Sequence, residues 1–120
     1  MIKEIINIKG APEAIGTYSQ GIRIGDFIYT SGQIPLNPQT ENLITGNIKE
    51  EIRQVLSNLD SVLKGGGSSL EFAIKLTVFI TDISYLSEYQ RLVQLVRIRI
   101  FPVLVEVRVE SCHFFATCDS

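Results

Sequence analysis

The run Asn47-Ile48-Lys49-Glu50-Glu51-Ile52-Arg53-Gln54-Val55-Leu56-Ser57-Asn58-Leu59-Asp60-Ser61-Val62-Leu63-Lys64-Gly65-Gly66-Gly67 decides the fold. Its apolar residues Ile48, Ile52, Val55, Leu56, Leu59, Val62 and Leu63 recur at helical spacing and form one stripe. Asn47 stands where an N-cap belongs, Glu50 and Glu51 suit the positive end of a helix, and the glycine triplet stops it. A long helix that is apolar on one side only must lie on something, and the flanking segments read as a sheet.

Downstream, Ile74, Leu76, Val78 and Ile80 alternate with Ala73, Lys75, Thr77 and Phe79, the period of a strand. Asp82 is a cap for a second helix carried by Ile83, Leu86, Tyr89 and Val93 and extending toward Val96. Upstream, Gly21-Ile22-Arg23-Ile24 and Phe27-Ile28-Tyr29-Thr30 are two strands joined by a tight turn at Gly25-Asp26. Ile2 to Ile8 is a further short strand ended by Gly10, Ala11 and Pro12, and Pro35 to Gly46 is a loop. Near the end, Val103, Val105, Val107 and Val109 alternate with Leu104, Glu106, Arg108 and Glu110, a half-buried strand pattern. This order predicts an α+β sandwich, with both helices packed on one face of a mixed or antiparallel sheet. The uncovered sheet face then needs a second subunit, so an oligomer is expected.

One hundred and twenty residues, 45% hydrophobic, are read as one globular domain spanning 1–120. A net charge of −2, with no lysine or arginine run, lacks the electrostatic footprint of a nucleic-acid binder. No apolar run is long enough for a membrane span and no signal-like segment follows Met1, so a cytoplasmic protein without membrane contacts is expected. Cys112 and Cys118 read as free thiols in a plain buried or frayed tail. Together with His113 they lack the CxxC pairs that make a zinc signal specific, so no metal site is expected.

The segment from Ile15 to Pro35 carries the chemistry. It contains Ile15-Gly16-Thr17-Tyr18-Ser19-Gln20-Gly21 and Thr30-Ser31-Gly32-Gln33-Ile34-Pro35, where glycine, proline and small polar groups interrupt apolar runs as they do in a pocket wall. From the residues alone, Tyr18 also fits a half-buried tyrosine, Ser31 a strand-end hydroxyl bonded to backbone, and Gly32 a bulge.

Four ordered motifs carry a resemblance. Ala11-Pro12-Glu13-Ala14-Ile15-Gly16-Thr17-Tyr18-Ser19-Gln20, Thr30 to Pro35, Arg53-Gln54-Val55-Leu56-Ser57-Asn58-Leu59 and Lys75-Leu76-Thr77-Val78-Phe79-Ile80-Thr81-Asp82 together resemble the Rid family, also called YjgF-like or L-PSP proteins. The likeness covers roughly residues 2 to 89, with Thr17 standing where the family commonly has proline. It implies a chorismate-mutase-like fold, a homotrimer and ligand clefts between subunits. It also implies cofactor-free hydrolysis of reactive 2-imino or 2-enamino acids to 2-keto acids and ammonia. By the same resemblance, Tyr18 and Ser31 lie in the cleft, with Gly32 and Gln33 as ligand-binding neighbours.

Residues 90–120 depart from the family pattern. The family has a Pro-Ala-Arg-Ser segment whose arginine grips the substrate carboxylate, whereas here Phe101-Pro102 is followed by Val103 and Leu104. Val105-Glu106-Val107 resembles either the residues just after that arginine or the family's closing strand, whose glutamate places the water. Glu106 is therefore the third candidate catalytic residue, and Arg97, Arg99 and Arg108 are the candidates for a displaced carboxylate anchor. Every lysine falls at or before Lys75 and every glycine at or before Gly67, while both cysteines and the histidine follow Ser111. So abrupt a change suggests replacement of the tail by a reading-frame change. Sequencing the coding DNA is expected to recover Pro-Ala-Arg-Ser in a shifted frame, and its absence from every frame would exclude the idea.

Two functions follow. One is the imine deaminase; the alternative is a non-catalytic trimeric protein that binds small carboxylates or serves regulation through the same clefts. The ribonuclease activity attributed to some relatives fits poorly with an acidic chain carrying one histidine.

Overall fold

A computed structural model describes residues 3–14, 19–80, 82–95, 104–107 and 113–119. Strands β1 (Lys3–Ile6), β2 (Gly21–Ile24) and β3 (Phe27–Thr30) come first, then helix α1 (Ile48–Gly65), strand β4 (Ala73–Ile80), helix α2 (Leu86–Leu95), and strands β5 (Leu104–Val107) and β6 (His113–Asp119). They form a six-stranded sheet in the order β1-β2-β3-β6-β4-β5. All neighbours are antiparallel except β4 and β5, which run parallel. Because β3 and β4 both pair antiparallel with β6, they run parallel to each other, and α1 connects them as a split β-α-β unit. The architecture is the α+β sandwich expected, with its helices on one face of the sheet.

Helix α1 begins as its sequence dictates. Asn47 is extended at φ −142°, and its Oδ1 accepts from the amides of Lys49 and Glu50 at 3.1 and 3.3 Å. Its buried stripe of Ile52, Val55, Leu56, Leu59, Val62 and Leu63 meets Ile6, Ile28, Leu76 and Val78 from the sheet and Tyr89 and Leu92 from α2. Each fully buried side chain of this kind contributes roughly 1.5–3 kcal/mol. At the C-terminal end, a Cβ on Gly65 would stand 2.6 Å from Ile8 and one on Gly66 2.6 Å from Ile6, so the glycines let the helix end press against the first strand and its extension.

The β2–β3 hairpin has Gly25 at φ +57° while Asp26 stays out of the positive-φ region, as a type II′ turn requires. Inward residues Ile6 and Ile28 are buried, whereas Ile5 (69% exposed), Phe27 (46%) and Tyr29 (49%) stand on the opposite face, uncovered within one chain. Among the described residues no helix is long and apolar enough to cross a membrane.

Four sequence expectations need correction. Strand β1 ends at Ile6 rather than Ile8, because the Ile8 amide and carbonyl are taken by the Gln20 side chain and not by a strand. In β4 a register shift between Ala73 and Lys75 breaks the alternation, turning Ala73 inward and leaving Ile74 46% exposed. Ile83 belongs to a 3₁₀ turn, Ile83–Tyr85, and is 60% exposed, so the apolar face of α2 starts one turn later. That turn is capped by Asp82, whose carboxyl is held below the ordinary aspartate range by the hydrogen bond it accepts from the Ser84 amide at 2.9 Å. Finally, the last residues are not a plain tail. Strand β6 lies between β3 and β4, at the centre of the sheet. Val96, Arg97, Arg99, Val103, Arg108, Val109 and Cys112 lie outside the described residues.

Candidate functional site

The loop after β1 and the segment after β3 meet beside Gln20, just before β2. Between them lies a crevice of about 80 Å³, lined among others by Pro12, Glu13, Ala14, Ser31, Gly32 and Gln33. At roughly 30 Å³ per water, it holds two or three waters or the reacting end of a small molecule. Ser31 and its neighbours Gly32 and Gln33 therefore share one wall, and Tyr18 lies outside the described residues.

Polar atoms of the crevice are arranged by Gln20, which is 1% exposed. Its Oε1 accepts from the Ile8 amide at 2.7 Å, and its Nε2 donates to the carbonyls of Ile8, Ala11 and Pro12 at 3.0, 3.3 and 2.9 Å. The Gln20 main-chain oxygen accepts both the Ser31 amide (2.9 Å) and the Ser31 hydroxyl (3.0 Å). With its proton committed to Gln20, Ser31 Oγ also accepts from Gln33 Nε2 at 3.4 Å and keeps further acceptor capacity. Gln33 is itself buried.

The opposite support comes from α1. Asn58, fully buried, donates from Nδ2 to the carbonyls of Ile34 and Leu36 at 3.1 and 2.9 Å, and its Oδ1 accepts from Gln54 Nε2 at 2.9 Å. Sequence reasoning quoted Gln20 and Asn58 only as motif members. For Asn58 the signal was a polar residue inside an apolar helical stripe, visible between Leu56 and Leu59. Glu13, an exposed carboxylate at the crevice rim, was likewise assigned no role.

Glu106 sits elsewhere in the chain. It pairs with Phe79 on β5, and β6 and β4 separate β5 from β3, a lateral offset of about 14 Å at the usual strand spacing. One chain therefore does not bring Ser31 and Glu106 together. Since β6 follows β5, Glu106 also does not stand on the closing strand. Of the arginines, Arg23 donates to the carbonyls of Gly25 and Gly66 and Arg53 pairs with Glu50 at 2.9 Å. None of the described arginines lines the crevice.

A larger cavity of about 580 Å³ lies between α1, α2 and the turn before β4. Two of its charged residues are paired, Asp60 with Lys64 at 2.7 Å, which raises the ammonium pKa above its ordinary value, and Asp60 also accepts from the Leu70 amide. The small crevice, with an oriented hydroxyl, is the better candidate. His113 and Cys118 stand five positions apart on extended β6, which separates them by about 16 Å and removes them from one coordination sphere.

A family model described as endoribonuclease L-PSP matches residues 8–113. The chain belongs to the Rid family. A RutC family protein of Pyrococcus abyssi is 42% identical over 84 residues, 70% of this chain and 66% of the relative. The rat 2-iminobutanoate/2-iminopropanoate deaminase is 39% identical over 84 residues, 70% of this chain and 61% of that enzyme. The chain thus spans about two thirds of the length of the curated relatives it matches. Among solved structures, a Rid-family protein of Yersinia pestis superposes with a TM-score of 0.92 at 33% identity, covering 99% of this chain and all (100%) of that one. E. coli TdcF with bound serine gives 0.88 at 28% identity, covering 98% of each chain. Both solved structures cover nearly the whole chain, whose described tail residues form strands β5 and β6 of the sheet.

Proposed function

We propose that this Rid protein hydrolyses 2-imino or 2-enamino acids to 2-keto acids and ammonia, in clefts completed by neighbouring copies in a homotrimer. The observation that carries the reading is the Ser31 hydroxyl, which lines the crevice with its proton donated to the Gln20 carbonyl at 3.0 Å and its oxygen left able to accept. A protonated imine presents N–H donors to such an acceptor. Water adds through oxygen to the imine carbon and gives up a proton to nitrogen; the tetrahedral adduct then breaks its C–N bond, releasing ammonia and leaving the keto group. The imine carbon is already electrophilic, so the reaction requires no cofactor. Tyr18 is assigned to the same wall, Gly32 and Gln33 to ligand contacts, and Glu106, from a neighbouring chain, to the water. Exposed Ile5, Phe27 and Tyr29 supply the apolar face against which another copy packs. The carboxylate anchor is unassigned, with Arg97, Arg99 and Arg108 as its candidates.

A second reading, a trimeric binding or regulatory protein, is favoured by two specific observations. Val103 and Leu104 follow Pro102 where the family has Ala-Arg, and Glu106 precedes the closing strand. A charge-assisted bond contributes roughly 1.5–3 kcal/mol, so losing a bidentate arginine lowers affinity substantially. The assay is ammonia release from freshly generated 2-iminopropanoate or 2-iminobutanoate. Acceleration is expected, with Tyr18→Phe and Glu106→Ala both lowering it. No acceleration, with 2-keto acid binding retained, selects the second reading; unchanged rates in both variants reject the site, and a monomer in sedimentation rejects the shared cleft.

A further inference from the structure

We infer that Gln20 and Asn58 are positioning residues, two buried side-chain amides that hold the two walls of the Ser31 crevice in register. The inference deepens the proposed function and rests on it for its kinetic arm. Burying an amide is costly unless its donors and acceptors are met, and an apolar side chain would fill either position without that demand. What these amides gain is grip on irregular backbone. Gln20 Nε2 reaches Ile8, Ala11 and Pro12, the chain that leads into and forms one wall, and Asn58 Nδ2 reaches Ile34 and Leu36 in the other. Those carbonyls lie outside the named strands, and the side chains add hydrogen bonds there to the few local backbone ones, such as that from the Leu36 amide to the Ile34 carbonyl.

Gln20 does a second thing. Its own carbonyl fixes the Ser31 hydroxyl, so the residue that holds the first wall also sets the direction of the acceptor facing the crevice. Gln54, donating to Asn58 Oδ1, orients the second amide so that both of its donor hydrogens point at the loop. Wall spacing and hydroxyl direction are thus coupled through two buried amides.

Gln20→Glu and Asn58→Asp keep shape and acceptor oxygens but lose the donors. Near neutral pH, Gln20→Glu is expected to lower kcat/KM for 2-iminopropanoate hydrolysis about tenfold or more, with part regained toward about pH 5 as the protonated carboxyl donates again. Asn58→Asp is expected to behave alike, which keeps the test readable if Gln20→Glu does not fold. Leu70→Ala, a buried truncation away from the crevice, serves as the destabilised control and is expected to retain kcat/KM. Values within about twofold of the parent in both acid variants, or a loss matched by Leu70→Ala without pH recovery, would overturn the role.

A ligand-free arm separates this inference from the function. The Ile8 amide is bonded to Gln20 Oε1, so Gln20→Ala is expected to speed its hydrogen exchange about tenfold or more while the Leu59 amide in α1 is unchanged. Unaltered Ile8 exchange overturns the clamp. If the parent protein neither releases ammonia nor binds a 2-keto acid, the proposed function fails and the exchange result alone decides the positioning role.

Discussion

Ser31→Ala is expected to lower kcat/KM for ammonia release by about ten- to a hundredfold with only a small change in thermal stability. The backbone bond from the Ser31 amide to the Gln20 carbonyl survives the substitution and Ser31 is not part of the buried core, so the loss of its two side-chain bonds is expected to cost the fold little beside the loss in rate. For catalysis, what is lost is the hydroxyl acceptor on the crevice wall. A hydrogen bond to a charged group contributes roughly 1.5–3 kcal/mol, and about 1.4 kcal/mol is a factor of ten in rate. Rates from coupled ammonia detection, compared with melting curves of the same preparations, check it. Unchanged kinetics in a folded Ser31→Ala protein would remove Ser31 from the mechanism.

The largest stability effect is expected at the centre of α1. Leu59 is fully buried in the core cluster of α1, sheet and α2, and truncating it to alanine leaves a cavity that rigid neighbours on both layers fill poorly. The cost for such sites is about 2–5 kcal/mol, a large share of the roughly 5–15 kcal/mol that holds a domain together. Leu59→Ala should therefore lower Tm by about 10 °C or more, whereas Leu43→Ala, at 46% exposure, should move it little. Urea or thermal unfolding of the two variants measures the difference, and equal midpoints would contradict the core assignment.

Helix α1 and the β2–β3 hairpin were legible because their information is local. The cap at Asn47, the stripe from Ile52 to Leu63 and the turn at Gly25-Asp26 each act within a few residues of chain, and the structure has them where the spacing placed them. The start of α2 was misread at Ile83, since an apolar residue inside a capped 3₁₀ turn looks the same in sequence as one on a helix face. The candidate wall at Ser31, Gly32 and Gln33 was read from motif spacing. That Ser31 Oγ donates to the Gln20 carbonyl, eleven positions away, was not, because no period links the two residues.

By itself the sequence determined the α+β class, the helix that organises it and membership in a family recognised by four ordered motifs. Only the tertiary structure decided that the final residues form the central strand β6, that Gly65 and Gly66 are needed for contact with Ile8 and Ile6, and that Gln20 and Asn58 brace a crevice. The physical reason is range. Caps, turns and stripes are settled by neighbours along the chain, whereas strand order, close approach and buried hydrogen bonds depend on groups that meet only after the chain has closed on itself.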